Sequence, residues 1–268
     1  MLLRDFRRLF WQPPRAHGDV IEDRTASFLE LFYDLVYVVT IAFAAATLAG
    51  DIGWRSVGEF VVVFGLIWLA WFNGTVSYDL HGREDIRTRL FTFAQMLLIV
   101  LLAVFVGDAA GDSGRGFALV YSAFVALLTW HWYLVRRQDD ALFMHMTRRY
   151  LTLMVTAVVV MAGSAFLPSD ARLIVWSVLL FIWLATLVLL GRSAEMLTDR
   201  SIIVSKSTVE RYGLFVIIVL GEMVFGGCEG SLAGNSSDDG LICGAERNNE
   251  RVALGKHLGP AVFLPFRP

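Results

Sequence analysis

A chain of 268 residues that is 56% hydrophobic and only 18% charged lies well below the ~25% charge of soluble domains. Its 23 basic and 25 acidic side chains leave a net charge of −2. The basic residues are scattered over short segments, which excludes a nucleic-acid-binding patch. This is the composition of an all-α, polytopic transmembrane helix bundle whose partner is the lipid bilayer.

The chain opens on a basic, polar arm, residues 1–28, before any apolar run. Leu2, Leu3, Phe6, Leu9, Phe10 and Trp11, interleaved with Arg4, Arg7 and Arg8, fit either a short interfacial turn or a solvated basic arm. A cleaved signal would have a shorter basic region and no carboxylate in its apolar core, so the first span is read as retained.

That first span carries the sequence SFLELFYDLVYVVTIAFAAATLAG and places Glu30 and Asp34 at its start. A charge beside hydrocarbon costs at least ~2.5–3.5 kcal/mol, so each carboxylate needs a partner, a wet cavity or a task. Spacing of four sets Glu30 and Asp34 about 40° apart on one helical face, with Tyr37 within about 20° of Glu30. A bland reading makes Glu30 a solvated carboxylate at a helix start. Asp34, about 6 Å deeper, fits that reading poorly.

Seven apolar runs are expected in all, at 29–49, 57–79, 90–106, 116–135, 150–167, 173–191 and 211–224. Trp71, Asn73 and Ser77 in the second are polar or amphipathic at depth. Asn73 and Ser77, four apart, are placed to hydrogen-bond a neighbouring helix. Most other Trp and Tyr residues lie toward span ends, where amphipathic rings favour the interface. In the last run, VERYGLFVIIVLGEM, Arg211 and Glu222 share a face but stand about 16 Å apart along the axis and cannot pair. Glu210 and Arg211 therefore read as a pair at the cytoplasmic mouth, and Glu222 as a deep carboxylate with a functional role by default.

Loop charge sets the orientation. The N-terminal arm holds Arg4, Arg7, Arg8, Arg15 and Arg24. The later even-side loops hold Arg83, Arg87 and Arg89; Arg136, Arg137, Arg148 and Arg149; and Arg192, Arg200 and Lys206. The intervening loops hold Arg55, Arg115 and Arg172, one each. This alternation puts the N-terminus in the cytoplasm.

From Phe225 the character changes to a Gly/Ser/Asn-rich tail, 225–268, without helical period, read as disordered or out of frame. The transmembrane domain is accordingly 29–224. Cys228 and Cys243 in that tail make neither a zinc site nor a disulfide framework. His81, His131 and His145 lack metal-ligand spacing, and no nucleotide, dinucleotide or nucleophile motif is present. The expectation is no catalytic residue, no metal, no cofactor and no enzyme.

Three stretches carry a family resemblance. SFLELFYDLVYVVTIA resembles the opening signature of the bacterial low temperature requirement A (LtrA) family. REDIRTRLFTFAQMLLIVLLAV is similar to that family's second loop and third span. STVERYGLFVIIVLGE resembles its later motif through Glu210, Arg211, Gly213 and Glu222. The resemblance covers about 25–224. It departs at Thr208 and Val209, where a His-Phe pair is usual, and beyond Glu222, where the family continues with further helices. A frameshift or truncation near Met223–Phe225 is the reading that follows. The resemblance implies a multi-pass inner-membrane protein linked to growth at low temperature, with no established reaction. Ion or small-solute movement along Asp34 and Glu222 is the leading expectation. A membrane sensor or scaffold, whose acidic stripe only packs helices, is the alternative.

A reporter fused after Arg149 should behave as cytoplasmic, and one fused after Asp51 as periplasmic. The opposite pattern in a paired phosphatase and fluorescent-protein assay would reverse the orientation.

Overall fold

A computed structural model describes residues 27–50, 53–81, 86–135, 141–197 and 211–221. All regular structure among them is helical. The helices are α1 (Phe28–Gly50), α2 (Trp54–His81), α3 (Ile86–Val106), α4 (Gly114–Val135), α5 (Ala141–Ser164), α6 (Ser169–Leu197) and α7 (Arg211–Gly221). Each expected run falls on one helix. Five of them (α1, α2, α3, α4 and α6) are long and apolar enough to cross a membrane. In α5 the described polar start, with Arg148 and Arg149, dilutes the apolar stretch, and the described part of α7 is short. The N-terminal arm and the tail 225–268 lie outside the described residues.

The bundle is apolar on its outside and keeps a set of polar side chains inside its apolar core. Leu97, Val104, Phe181, Val159 and Ile217 are each more than 60% exposed on α3, α6, α5 and α7. Glu30, Asp34, Asn73, Gln95 and Arg211 are buried. A soluble monomer rarely exposes apolar patches on this scale, whereas lipid asks for them. The chain is a multi-pass membrane protein.

Several threonine hydroxyls on the spans are satisfied within their own helices. Thr40, Thr92, Thr129, Thr152 and Thr186 each donate to the carbonyl four residues back, at 2.7–3.0 Å. That local bond lets them sit in an apolar medium without a partner helix.

Helix α2 is the hub. It packs against α1, α4 and α6, while α1 also packs on α3, α3 on α4, α4 on α5 and α5 on α6. Its Leu66, Ile67, Leu69, Ala70 and Trp71 are buried in the core. Tyr121 of α4 anchors to it by donating to the Leu66 carbonyl at 2.9 Å. At the end of the bundle opposite the start of α1, Trp176 of α6 donates to Ser164 Oγ at 2.9 Å, tying α6 to the end of α5. Arg172 reaches the Gly111 carbonyl in the α3–α4 turn.

Gly74 of α2 permits the close approach of α1, since a Cβ there would collide with Tyr33 Oη and crowd Gln95 Oε1. Overpacking of this kind costs about 1–3 kcal/mol. Gly74→Ala should lower the thermal unfolding midpoint of the detergent-solubilised protein. Gly163→Ala, where a Cβ meets nothing within 4 Å, should leave it unchanged or raise it.

Candidate functional site

The site starts at the first turn of α1. Ser27 and Glu30 form a reciprocal cap: Ser27 Oγ accepts from Glu30 N at 3.4 Å, and Glu30 Oε1 accepts from Ser27 N and Oγ at 3.3 and 3.0 Å. This is the S-x-x-E capping box, and it fixes the Glu30 carboxylate at the positive end of the helix dipole. The other oxygen, Oε2, is left to face inward.

Arg211, the first described residue of α7, fills that space. Its Nη1 donates to Glu30 Oε2 at 3.1 Å, while Nη2 and Nε donate to Asp34 Oδ1 and Oδ2 at 2.8 and 3.1 Å. The planar guanidinium thus grips Asp34 in bidentate fashion and holds Glu30 with its remaining edge, a geometry that a lysine cannot reproduce. Asp79 Oδ1, near the end of α2, lies 3.9 Å from Nη1. All three main partners are withdrawn from the surface: Arg211 is 2% exposed, Glu30 2% and Asp34 6%.

Trp71 completes the shell. Its indole Nε1 donates to Asp34 Oδ1 at 2.8 Å. Its ring stacks on Phe215 at 3.9 Å and 9°, and meets the Tyr212 edge at 4.8 Å. Arg211 and Phe215 are one helical turn apart, so one face of α7 brings both the cation and the stacking ring to α1 and α2.

Deeper in the bundle, a second polar layer follows the same face of α1. Tyr33 Oη donates to Gln95 Oε1 on α3 at 2.8 Å and lies 3.0 Å from Tyr37 Oη. Because the Tyr33 proton is committed to an oxygen that can only accept, Tyr37 donates to Tyr33. Tyr37 is fully buried and meets the Phe124 edge at 6.4 Å, with Ile41 buried one turn on. Beside this layer, Asn73 donates to its own Leu69 carbonyl at 2.8 Å and accepts from Tyr150 of α5.

The expected residues Glu30, Asp34 and Arg211 therefore meet in one cluster, with Tyr37 in the layer behind it and Asn73 bridging α2 to α5. Arg211 is engaged with α1 in the interior, because two carboxylates a turn apart match its fork. One expectation is corrected. Glu30, for the same reason, is buried and paired instead of solvated. Glu210 and Glu222 lie outside the described residues. Ser77, expected beside Asn73 as an interhelical donor, has no hydrogen-bond partner for its hydroxyl among the described residues.

Trp71, amphipathic at depth in α2, has Asp34 as its partner. Residue spacing alone does not pick out Tyr33, Gln95 or Asp79. Gln95, an amide in the middle of an otherwise apolar span, was the one signal available for the second layer. Among the described residues no group of three or more His, Cys, Asp or Glu is arranged to hold a metal ion.

Residues 25–245 match the family model described as bacterial low temperature requirement A protein (LtrA). The match continues past residue 224, where the motif resemblance ended. An uncharacterized protein of Rhizobium meliloti (strain 1021) is 31% identical over 209 residues, covering 74% of this chain and 49% of that relative. The chain thus spans about half the length of the curated relative that it matches. No solved structure matches it.

Removing one partner of a buried ion pair costs about 3–5 kcal/mol, whereas replacing all partners by apolar groups is often neutral. Arg211→Met should therefore destabilise the bundle strongly in thermal unfolding. The triple variant Glu30→Gln, Asp34→Leu, Arg211→Met should recover most of the loss. Arg211→Lys should stay well short of wild type.

Proposed function

The chain belongs to the bacterial low temperature requirement A family, and on that premise we propose that it moves an ion or small solute across the inner membrane. The observation that carries this reading is the Glu30–Asp34–Arg211 cluster, with Asp79 at its edge. Three carboxylates surround one guanidinium inside a membrane bundle, an arrangement that intramembrane chemistry retains at a cost when a charged path is needed. Behind it, Tyr33, Gln95 and Tyr37 extend a polar column to about 10 Å from Glu30, at 1.5 Å per residue along α1. Phe124 and Ile41 close the column on the far side. On this reading a cation enters from the arginine-rich, cytoplasmic side, exchanges with Arg211 at Asp34, and passes when the aromatic plug opens. Glu222 is assigned to the same path by its depth in the sequence. The role proposed is transport, not catalysis, with the bilayer and the transported species as partners.

A second reading has a specific observation behind it. Both oxygens of Asp34 and both of Glu30 accept hydrogen bonds, as packing groups would. The protein would then be a membrane sensor or scaffold whose acidic stripe only locks helices together.

Flux from dye-loaded proteoliposomes, assayed with K+, Na+ and protons in turn, separates the two. Asp34→Asn keeps the shape and most hydrogen bonds but removes the charge. On the transport reading it reduces flux at least about tenfold, a barrier increase of ~1.4 kcal/mol, while the bundle stays folded. Full flux in Asp34→Asn, or no flux of any probe in wild type, would favour the scaffold.

A further inference from the structure

Behind Phe124, whose ring meets the Tyr37 edge at 6.4 Å, the bundle surrounds a cavity of about 20 Å³. Four helices line it: α2 with Leu66 and Asn73, α4 with Tyr121 and Phe124, α5 with Ala157 and α6 with Trp183. All of these side chains are buried. We propose that the cavity binds a single water molecule, held by Asn73 and Tyr121, which links α2 to α4 and, through Asn73, to α5. No residue of the Arg211 cluster lines it, so the site does not depend on whether the chain transports anything.

Size selects the occupant first. A buried water needs a cavity of at least about 10–15 Å³, so there is room for one and not for two. A small apolar molecule such as benzene needs on the order of 150 Å³. A bare cation is excluded by chemistry, because no carboxylate lines the cavity and a hard cation takes about six oxygens.

The polar inventory selects it a second time. Asn73 Nδ2 spends one proton on the Leu69 carbonyl at 2.8 Å, and Asn73 Oδ1 accepts from Tyr150. An amide nitrogen carries two protons, and the second has no acceptor among the described residues. Tyr121 Oη gives its proton to the Leu66 carbonyl at 2.9 Å, which leaves its lone pairs to accept. One uncommitted donor and one uncommitted acceptor therefore line the same one-water space. A water there accepts from Asn73 and donates to Tyr121 Oη, and its second proton can reach the remaining lone pair of Asn73 Oδ1. Three bonds of this kind are what a buried water typically makes, whereas a cavity lined by hydrocarbon alone stays dry. The result is one chain of hydrogen bonds from Tyr150 through Asn73 and the water to Tyr121 and the Leu66 carbonyl, crossing α5, α2 and α4.

A density map of the full chain in lipid nanodiscs, at a resolution that shows ordered water, should contain one peak within hydrogen-bonding distance of both Asn73 Nδ2 and Tyr121 Oη. Two variants of equal shape read the same site through stability. Ala157→Val displaces the water with hydrocarbon and strands the Asn73 N–H, so it should lower the thermal unfolding midpoint by at least about 2–4 °C. Ala157→Thr fills the same space but supplies an oxygen that can accept from Asn73, while its proton goes to the Leu153 carbonyl of its own helix. It should melt closer to wild type than Ala157→Val does. A dry cavity predicts another order, since filling an apolar void leaves stability unchanged or raises it. A map without the peak, an Ala157→Val midpoint at or above wild type, or equal losses in the two variants would each overturn the proposal.

Discussion

The grip of Arg211 on Asp34 and Glu30 is the interaction on which the interior depends. Each of these charges alone in hydrocarbon would be expensive, and together they form a short-range, hydrogen-bonded set whose desolvation is offset only by its geometry. The clamp also joins residues 177 and 181 positions apart in the chain, so it closes α7 onto the start of α1. Trp71 converts that closure from a pair into a three-helix contact, by bonding Asp34 with its edge and stacking Phe215 with its face. A lysine in place of Arg211 would keep the charge and lose the fork.

The rest of the bundle divides its polar groups between two solutions. Threonines on lipid-accessible or semi-buried positions bond their own backbone and cost the helix surface little. Longer polar side chains are used between helices instead: Tyr33 to Gln95 joins α1 to α3, Tyr121 to the Leu66 carbonyl joins α4 to α2, and Tyr150 to Asn73 joins α5 to α2. Without a hydrophobic drive between helices in lipid, bonds of this kind, about 0.6–2 kcal/mol each, and close packing at Gly74 specify which faces meet.

How much of this was legible from residues alone follows from periodicity and charge. Runs of apolar residues over membrane length identify helices because the bilayer leaves few other ways to satisfy a backbone, so the fold class and the seven helices were open to reading in advance. Helix ends were less legible. Helices α5 and α6 begin several residues before their apolar runs, at Ala141 and Ser169, since a helix does not stop where hydrophobicity does. Glu30, Asp34 and Tyr37 could be placed on one face of α1, because a face is a property of local spacing.

What residue spacing could not supply was the partner of each charge. Arg211 had Glu210 beside it in sequence, and only tertiary structure decided that its fork belongs to α1, because a match between a guanidinium and two carboxylates is set by where α7 docks. The roles of Trp71 and Gln95 were hidden for the same reason: each acts on a group at least 37 positions away. The sequence by itself determined a membrane bundle with an acidic stripe on its first helix, through composition and period. The tertiary structure decided that the stripe is neutralised in part by an arginine from the last described helix, since long-range pairing in a low dielectric depends on docking geometry and not on local pattern.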